Sequence, residues 1–200
     1  ICTQFITPAI VAAGWDLQRQ VREEVTFTQG RVIVRGRLHT RGQARRADYV
    51  LYHQAHLPLA VIEAKDNTHG PGEGMQQALD YAEALDAPFV FTSNGDGFVF
   101  HDRSGTGAQV ETHLGLDQFP SPAELWRRYC LWADLTDADV RARAQVPYCD
   151  DGSGRAPRYY QVNAINRPVQ AAARGQSRVL LVMATGTGKT CTAFQIIWRL

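Results

Sequence analysis

The string Ala184-Thr185-Gly186-Thr187-Gly188-Lys189-Thr190 constrains this chain more than any other feature. It follows an apolar run, Val179–Met183, and opens a helical pattern over Cys191–Leu200. Strand, glycine loop and helix in that order form a phosphate-binding loop. The glycines let backbone N–H groups close around phosphates, and a helix N-terminus favours an anion. Lys189 would reach the β and γ phosphates of ATP, and Thr190 would bind Mg²⁺. The common spacing asks for Gly where Met183 stands. Upstream, Arg158-Tyr159-Tyr160-Gln161 precedes the loop by about one helix, 159–173. Gln161 is either an adenine-reading residue or a polar opening to that helix.

Composition narrows the class. Hydrophobic residues make up 44% and charged residues 20%, which excludes a largely disordered chain. The net charge of +1 means that any nucleic-acid contact must come from a local patch. Cys2, Cys130, Cys149 and Cys191 form no Cys-x-x-Cys pair, which argues against zinc and disulfide scaffolds and fits a reducing, cytoplasmic setting. No apolar run reaches membrane-spanning length and no signal peptide is visible. The chain starts at Ile1 inside a helical pattern and stops ten residues after Thr190, so a longer protein is expected.

Before the loop the pattern is α+β or mixed α/β. A helix is expected at 3–13 and strands at 21–27 and 31–35, with a turn at Gln29-Gly30. A basic loop follows at 40–46. Apolar runs at 49–52 and 57–62, a helix at 73–86, and strands at 89–92 and 98–101 around Asn94-Gly95 complete the core. Ser121-Pro122-Ala123-Glu124 carries the signature of a helix start. The Pro/Gly/Asp-rich stretch 146–157 is the linker candidate. The expected units are therefore 1–145, the linker 146–157, and 158–200.

Within the first unit, Asp48, Glu63 and Lys65 form the pattern Asp…Glu-x-Lys. If 48–53 and 58–63 make a hairpin that pairs Gln54 with Leu57, the same register sets Asp48 opposite Glu63. Lys65 then points to the same face. Two adjacent carboxylates repel unless a cation lies between them, and Mg²⁺ with oxygen ligands answers that. Lys65 would orient or help deprotonate an attacking water, or neutralise charge building on a phosphate. Gln77 and Tyr81, four apart on the predicted helix, share a face. They would hold phosphate or position the lysine. A solvated Glu-x-Lys pair is the plain alternative, but Glu63 ends an apolar run, and that favours a metal site. Arg41, Arg45 and Arg46 are either a phosphate grip or a solvated hairpin tip. His53 and His56 flank the turn as decoration, and Trp126 and Trp132 are read as packing.

In this order, the nuclease pattern, the Gln-x-x-x-Tyr helix and the motor loop resemble the restriction (R) subunit of type I restriction–modification enzymes. The likeness also rests on Ala13-Gly14-Trp15-Asp16, Ala47-Asp48-Tyr49-Val50-Leu51, Ala60-Val61-Ile62-Glu63-Ala64-Lys65, Ser93-Asn94-Gly95 and Phe119-Pro120-Ser121-Pro122. It implies a PD-(D/E)xK restriction-endonuclease-like core, with a mixed sheet flanked by helices, followed by the start of a RecA-like, superfamily-two helicase or translocase domain. Asp48 and Glu63 would be Mg²⁺ ligands, Lys65 the catalytic lysine, and Gln77 and Tyr81 the Gln-x-x-x-Tyr pair. Thr185, Gly186, Thr187, Gly188, Lys189 and Thr190, with Gln161, would bind ATP. Implied partners are double-stranded DNA and the modification (methyltransferase) and specificity subunits. Two departures stand out. Residues 1–13 carry no acid, although related nucleases often have a Glu on the first helix. No Asp-Glu pair follows Lys189, so this chain alone should hydrolyse ATP poorly. Other readings are a DNA- or subunit-docking module with weak or lost cutting, and a helicase-linked repair nuclease without methyltransferase partners.

Overall fold

The computed structural model describes residues 1–28, 32–35, 38–41, 44–150, 152, 154 and 156–200, with backbone alone at positions 27–45. The turn expected at Gln29-Gly30 lies outside the described residues.

A π-helical turn, Cys2–Ile6, runs into α1, Thr7–Ala12, where one helix was expected. Among the described residues eight strands follow, in two sheets. β1 (Val21–Thr28), β4 (Ala44–Tyr52), β5 (Pro58–Ala64), β6 (Phe89–Ser93), β7 (Phe98–Asp102) and β8 (Glu111–Leu114) lie side by side in that order. β2 (Val32–Arg35) and β3 (Leu38–Arg41) pair separately. β5 and β6 run parallel and every other pair is antiparallel, so the large sheet is mixed. Their parallel connection carries α2, Met75–Leu85, as such crossovers require.

Helices cover both faces. On one, Ile6, Ile10, Trp15, Phe91, Phe98, Phe119, Leu125 and Tyr129 form the larger core under α1 and α3 (Pro122–Trp132). On the other, Ala78, Tyr81, Ala82 and Leu85 of α2 pack on Val50, Val61 and Val90. Covered on both sides, β5 is apolar throughout rather than alternating, until Glu63. α4 (Ala138–Ala144) and α5 (Tyr159–Ala173) follow, and α6 (Lys189–Arg199) ends the order.

Several expectations are corrected. The basic stretch 40–46 is strand at its described positions: β3 extends to Arg41 and β4 begins at Ala44, while positions 42 and 43 lie outside the described residues. Arg45 and Arg46 pair with Phe27 and Thr26, a partner strand almost twenty residues upstream that local composition does not reveal. At the β4–β5 turn, Pro58 rather than the expected residue sits opposite Tyr52, with an irregularity at Leu51/Tyr52. A proline cannot donate to a ladder, and the slip accommodates it. Beyond it the register recovers, with Tyr49 opposite Ile62. The Val179–Met183 strand does not form among the described residues, and Leu180 is 88% exposed. A strand obtains its hydrogen bonds from neighbours, and no described strand pairs with this one.

The stretch 146–157 is not wholly a free linker. Gln195 of α6 accepts from Cys149 N (2.9 Å) and donates to Cys149 O (2.9 Å). Arg199, 2% exposed, donates to Asn166 Oδ1 and Ala144 O (2.7 Å each) and lies 5.2 Å from the Tyr148 ring. Asn166 donates in turn to His56 O, 2.7 Å. His56 is therefore buried and bound rather than decorative, and burial pushes its imidazole down to about 4. His53 also departs from decoration, stacking on Trp126 at 3.8 Å.

Candidate active site and phosphate loop

The face of the sheet beneath α2 ends in charged groups. Carried one step past Tyr49–Ile62, the β4–β5 register sets Asp48 opposite Glu63, with Cβ atoms roughly 4.5–5.5 Å apart for such a pair. The Ala64 amide donates to Asp48 Oδ2 at 2.8 Å, which ties the two strand ends together. Glu63 is 3% exposed. Its Oε1 accepts from Lys65 Nζ at 3.0 Å, while its Oε2 is buried and has no hydrogen-bond partner. Burial, then the Asp48 charge, raises the Glu63 pKa, against the opposing pull of Lys65 and Arg46.

Lys65 is held from a second side. Its Nζ donates to Gln77 Oε1 at 3.3 Å, and Gln77 Nε2 donates to Tyr81 OH at 2.6 Å. The Tyr81 ring sits in the core beneath α2. The structure therefore brings Asp48, Glu63, Lys65, Gln77 and Tyr81 into one connected group. Two of the three N–H donors of Lys65 are accounted for, leaving one for an incoming ligand.

The arrangement fits a hard cation. An orphaned, buried carboxylate oxygen beside a second carboxylate is unfavourable unless a positive charge meets it. No cluster of three or more His, Cys, Asp or Glu residues able to hold a metal ion occurs among the described residues. Mg²⁺ needs only one or two carboxylates, with waters and phosphate oxygens completing its shell.

One residue of this site was not visible in the sequence. Gly74 caps the start of α2 with φ +95°. A Cβ there would meet Lys65 Cε at 2.7 Å and Glu63 Cγ at 3.3 Å. Gly74 therefore leaves the space that the lysine stem occupies.

The phosphate loop is a second group. Gly186 and Gly188 have φ +79° and +82°, conformations that favour glycine, and Lys189 opens α6 directly after Gly188. Gln161 Nε2 donates to Thr187 O at 3.0 Å, while its Oε1 accepts from Arg158 N at 2.9 Å. The start of α5 is thus pinned to the loop. Thr187 Oγ1 donates to Ala184 O at 2.6 Å. Lys189 Nζ folds back to Met183 O at 3.4 Å. Thr185, Gly186, Gly188, Lys189 and Thr190 are exposed. α5 also touches the first group's helix: Asn163 Nδ2 donates to Ala84 O at 2.9 Å, and Arg167 grips Asp86 through two bonds of 2.8 and 2.5 Å.

Known proteins share this chain's sequence and shape. A family model described as the N terminus of the type I restriction enzyme R protein matches residues 31–109, and one described as the res subunit of type III restriction enzymes matches 155–200. The type I restriction enzyme EcoAI endonuclease subunit of Escherichia coli is 56% identical, across 100% of this chain and 25% of that protein. The EcoKI endonuclease subunit of Escherichia coli strain K12 is 51% identical, across 77% of this chain and 16% of that protein. The chain thus spans a quarter or less of these relatives. A solved fragment assigned to an HsdR subunit of a type I restriction enzyme from Vibrio vulnificus YJ016 superposes with a TM-score of 0.84 at 40% identity, covering 100% of this chain and 37% of that one. Among the described residues no helix is long and apolar enough to cross a membrane. By sequence along its whole length and by fold, the chain belongs to the family of type I restriction enzyme R proteins.

Proposed function

We propose that residues 1–145 form a PD-(D/E)xK nuclease that cuts double-stranded DNA with Mg²⁺, and that 158–200 begin a superfamily-two, RecA-like motor. In the whole protein, ATP-driven translocation would deliver DNA to the cutting site. The observation that carries this reading is the orphaned Glu63 Oε2 beside Asp48, with Lys65 tied between Glu63 and Gln77. It is supported by the relatives, which are named endonuclease subunits.

Asp48 and Glu63 would hold the cation through the carboxylate oxygens not bonded to Ala64 N and Lys65. Bound there, Mg²⁺ would supply an activated water and offset charge on the phosphate. Hydrolysis adds that water across one P–O bond, and the departing strand end takes the proton. Lys65 would aim its remaining donor at a phosphate oxygen or at the attacking water. Gln77 would keep the ammonium aimed, and the Tyr81 hydroxyl would keep Gln77 aimed. At the second site, the loop amides and Lys189 would bind ATP phosphates, Thr190 the accompanying Mg²⁺, and Gln161 would tie nucleotide occupancy to α5. Modification and specificity subunits are the proposed partners, in the cytoplasm.

Glu63→Ala in the full-length subunit, assembled with its partners, tests the reading. Mg²⁺-dependent plasmid cutting should fall by at least about a hundredfold, the scale at which removing a group acting in the transition state is felt. DNA binding and ATP hydrolysis should persist. A docking module with lost chemistry would show no change in any of the three.

A further inference from the structure

Arg46 is a second cation at the strand ends. It lies two residues before Asp48 on β4, and its charge acts on Glu63, which places the guanidinium near the carboxylate pair. Lys65 follows directly on β5 and bonds Glu63, so the carboxylate pair has a cation near it from each strand. Two carboxylates are thus accompanied by two cations. The paired carboxylates call for a cation, and by the same electrostatics the paired cations call for an anion.

In this structure each cation has a carboxylate for company. Lys65 bonds Glu63 at 3.0 Å, and Arg46 Nη1 meets Glu24 Oε1 at 3.1 Å. Glu24 lies in β1 between Glu23, opposite Tyr49, and Val25, opposite Ala47, and its φ is +51°. That conformation is strained for a residue with a Cβ, in the middle of an otherwise regular strand. The Arg46 and Glu24 side chains are 58% and 67% exposed, and a pair so exposed stabilises a fold too little to explain the strain. Strain that stability does not repay gathers at binding and catalytic sites. The pair leaves Arg46 reachable, and a guanidinium fork matches two phosphate oxygens better than one carboxylate oxygen.

We propose that Arg46 binds the DNA phosphate that enters between it and Lys65, and that Glu24 holds Arg46 in place until the phosphate arrives. As the phosphate takes the ammonium of Lys65, Glu63 is released toward the cation. The proposal deepens the nuclease reading and rests on it.

Single-turnover plasmid cutting by the full-length subunit in its complex, across a salt series with ATP hydrolysis followed in the same samples, tests it. Arg46→Ala should slow cutting at least tenfold, with ATP hydrolysis and the half-saturating Mg²⁺ concentration unchanged. Losing one phosphate contact should also flatten the salt dependence, by about one unit of log–log slope. Arg46→Lys, which keeps the charge but not the fork, should cut at an intermediate rate. Arg46→Ala cutting at the wild-type rate with an unchanged salt slope, beside an inactive Glu63→Ala, overturns this proposal and leaves the nuclease standing. An active Glu63→Ala removes both. If Arg46→Ala loses ATP hydrolysis as well, Arg46→Gln decides on the same two readouts.

Discussion

At Glu63, the proposed chemistry and the stability of the fold pull in opposite directions. Burial and the Asp48 charge raise its pKa, so the folded chain holds that proton more tightly than the unfolded chain does. The ionised carboxylate therefore weakens the cation-free fold as pH rises through the interval between the unfolded and folded values, and the penalty is fully present above it. Glu63→Gln should raise the melting temperature of the cation-free, full-length subunit at neutral pH. A gain of about 1 kcal/mol corresponds to roughly 2–4 °C for a domain of this size. Mg²⁺ should raise the melting temperature of the wild type and leave Glu63→Gln unmoved; scanning calorimetry with and without EDTA reads both. Cutting should weaken as pH falls, because protons compete with Mg²⁺ for Glu63, and added Mg²⁺ should restore it. Gly74→Ala belongs to the same scale. Its Cβ would displace Lys65, and the left-handed backbone costs about 1–2 kcal/mol for a residue with a Cβ. The expected outcome is at least tenfold slower cutting at unchanged ATP hydrolysis. Wild-type cutting in Gly74→Ala would mean that Lys65 need not occupy its observed position.

At the scale of elements, legibility followed the distance between partners. Asp48, Glu63 and Lys65 could be set on one face from sequence because β4 and β5 are joined by a short turn and side chains alternate every residue. The slip at Pro58 did not spoil that reading, because it sits at the turn end and the register recovers before the site. Gln77 and Tyr81 were legible through helical spacing, whereas Gly74 was not, since what its missing Cβ would strike depends on how residues 66–74 fold back. Arg46 reads as part of a loop in the sequence because its strand partner, β1, is almost twenty residues away. The buried polar knot of His56, Ala144, Asn166 and Arg199 was equally invisible, since four separate segments must meet to form it. That knot predicts a large effect from one amide. Asn166→Ala leaves the buried Arg199 and the His56 carbonyl each short of a partner. It should destabilise the docking of α5 by about 2–4 kcal/mol, measured by urea unfolding. A loss below about 0.5 kcal/mol would show that water replaces the amide there.

Across the whole molecule, α5 stands between the two candidate sites. Gln161 at its start bonds the phosphate loop, and Asn163 and Arg167 bond the end of the helix that carries Gln77 and Tyr81. The glycine loop proposed to bind nucleotide and the carboxylate pair are thus separate groups on one hydrogen-bonded frame, and each should fail alone when its own lysine is removed. The apolar run Val179–Met183 was read correctly as apolar and wrongly as a formed strand, because periodicity reports what a segment would bury and not whether its neighbours are present. The most direct test of two separate centres is cutting of supercoiled plasmid by the full-length subunit with its partners, Mg²⁺ and ATP, comparing Lys65→Ala with Lys189→Ala. Both variants should lose cutting, with ATP hydrolysis surviving in Lys65→Ala and lost in Lys189→Ala. Cutting that survives Lys65→Ala would place the phosphodiester chemistry elsewhere in the protein and contradict the site built on Asp48 and Glu63.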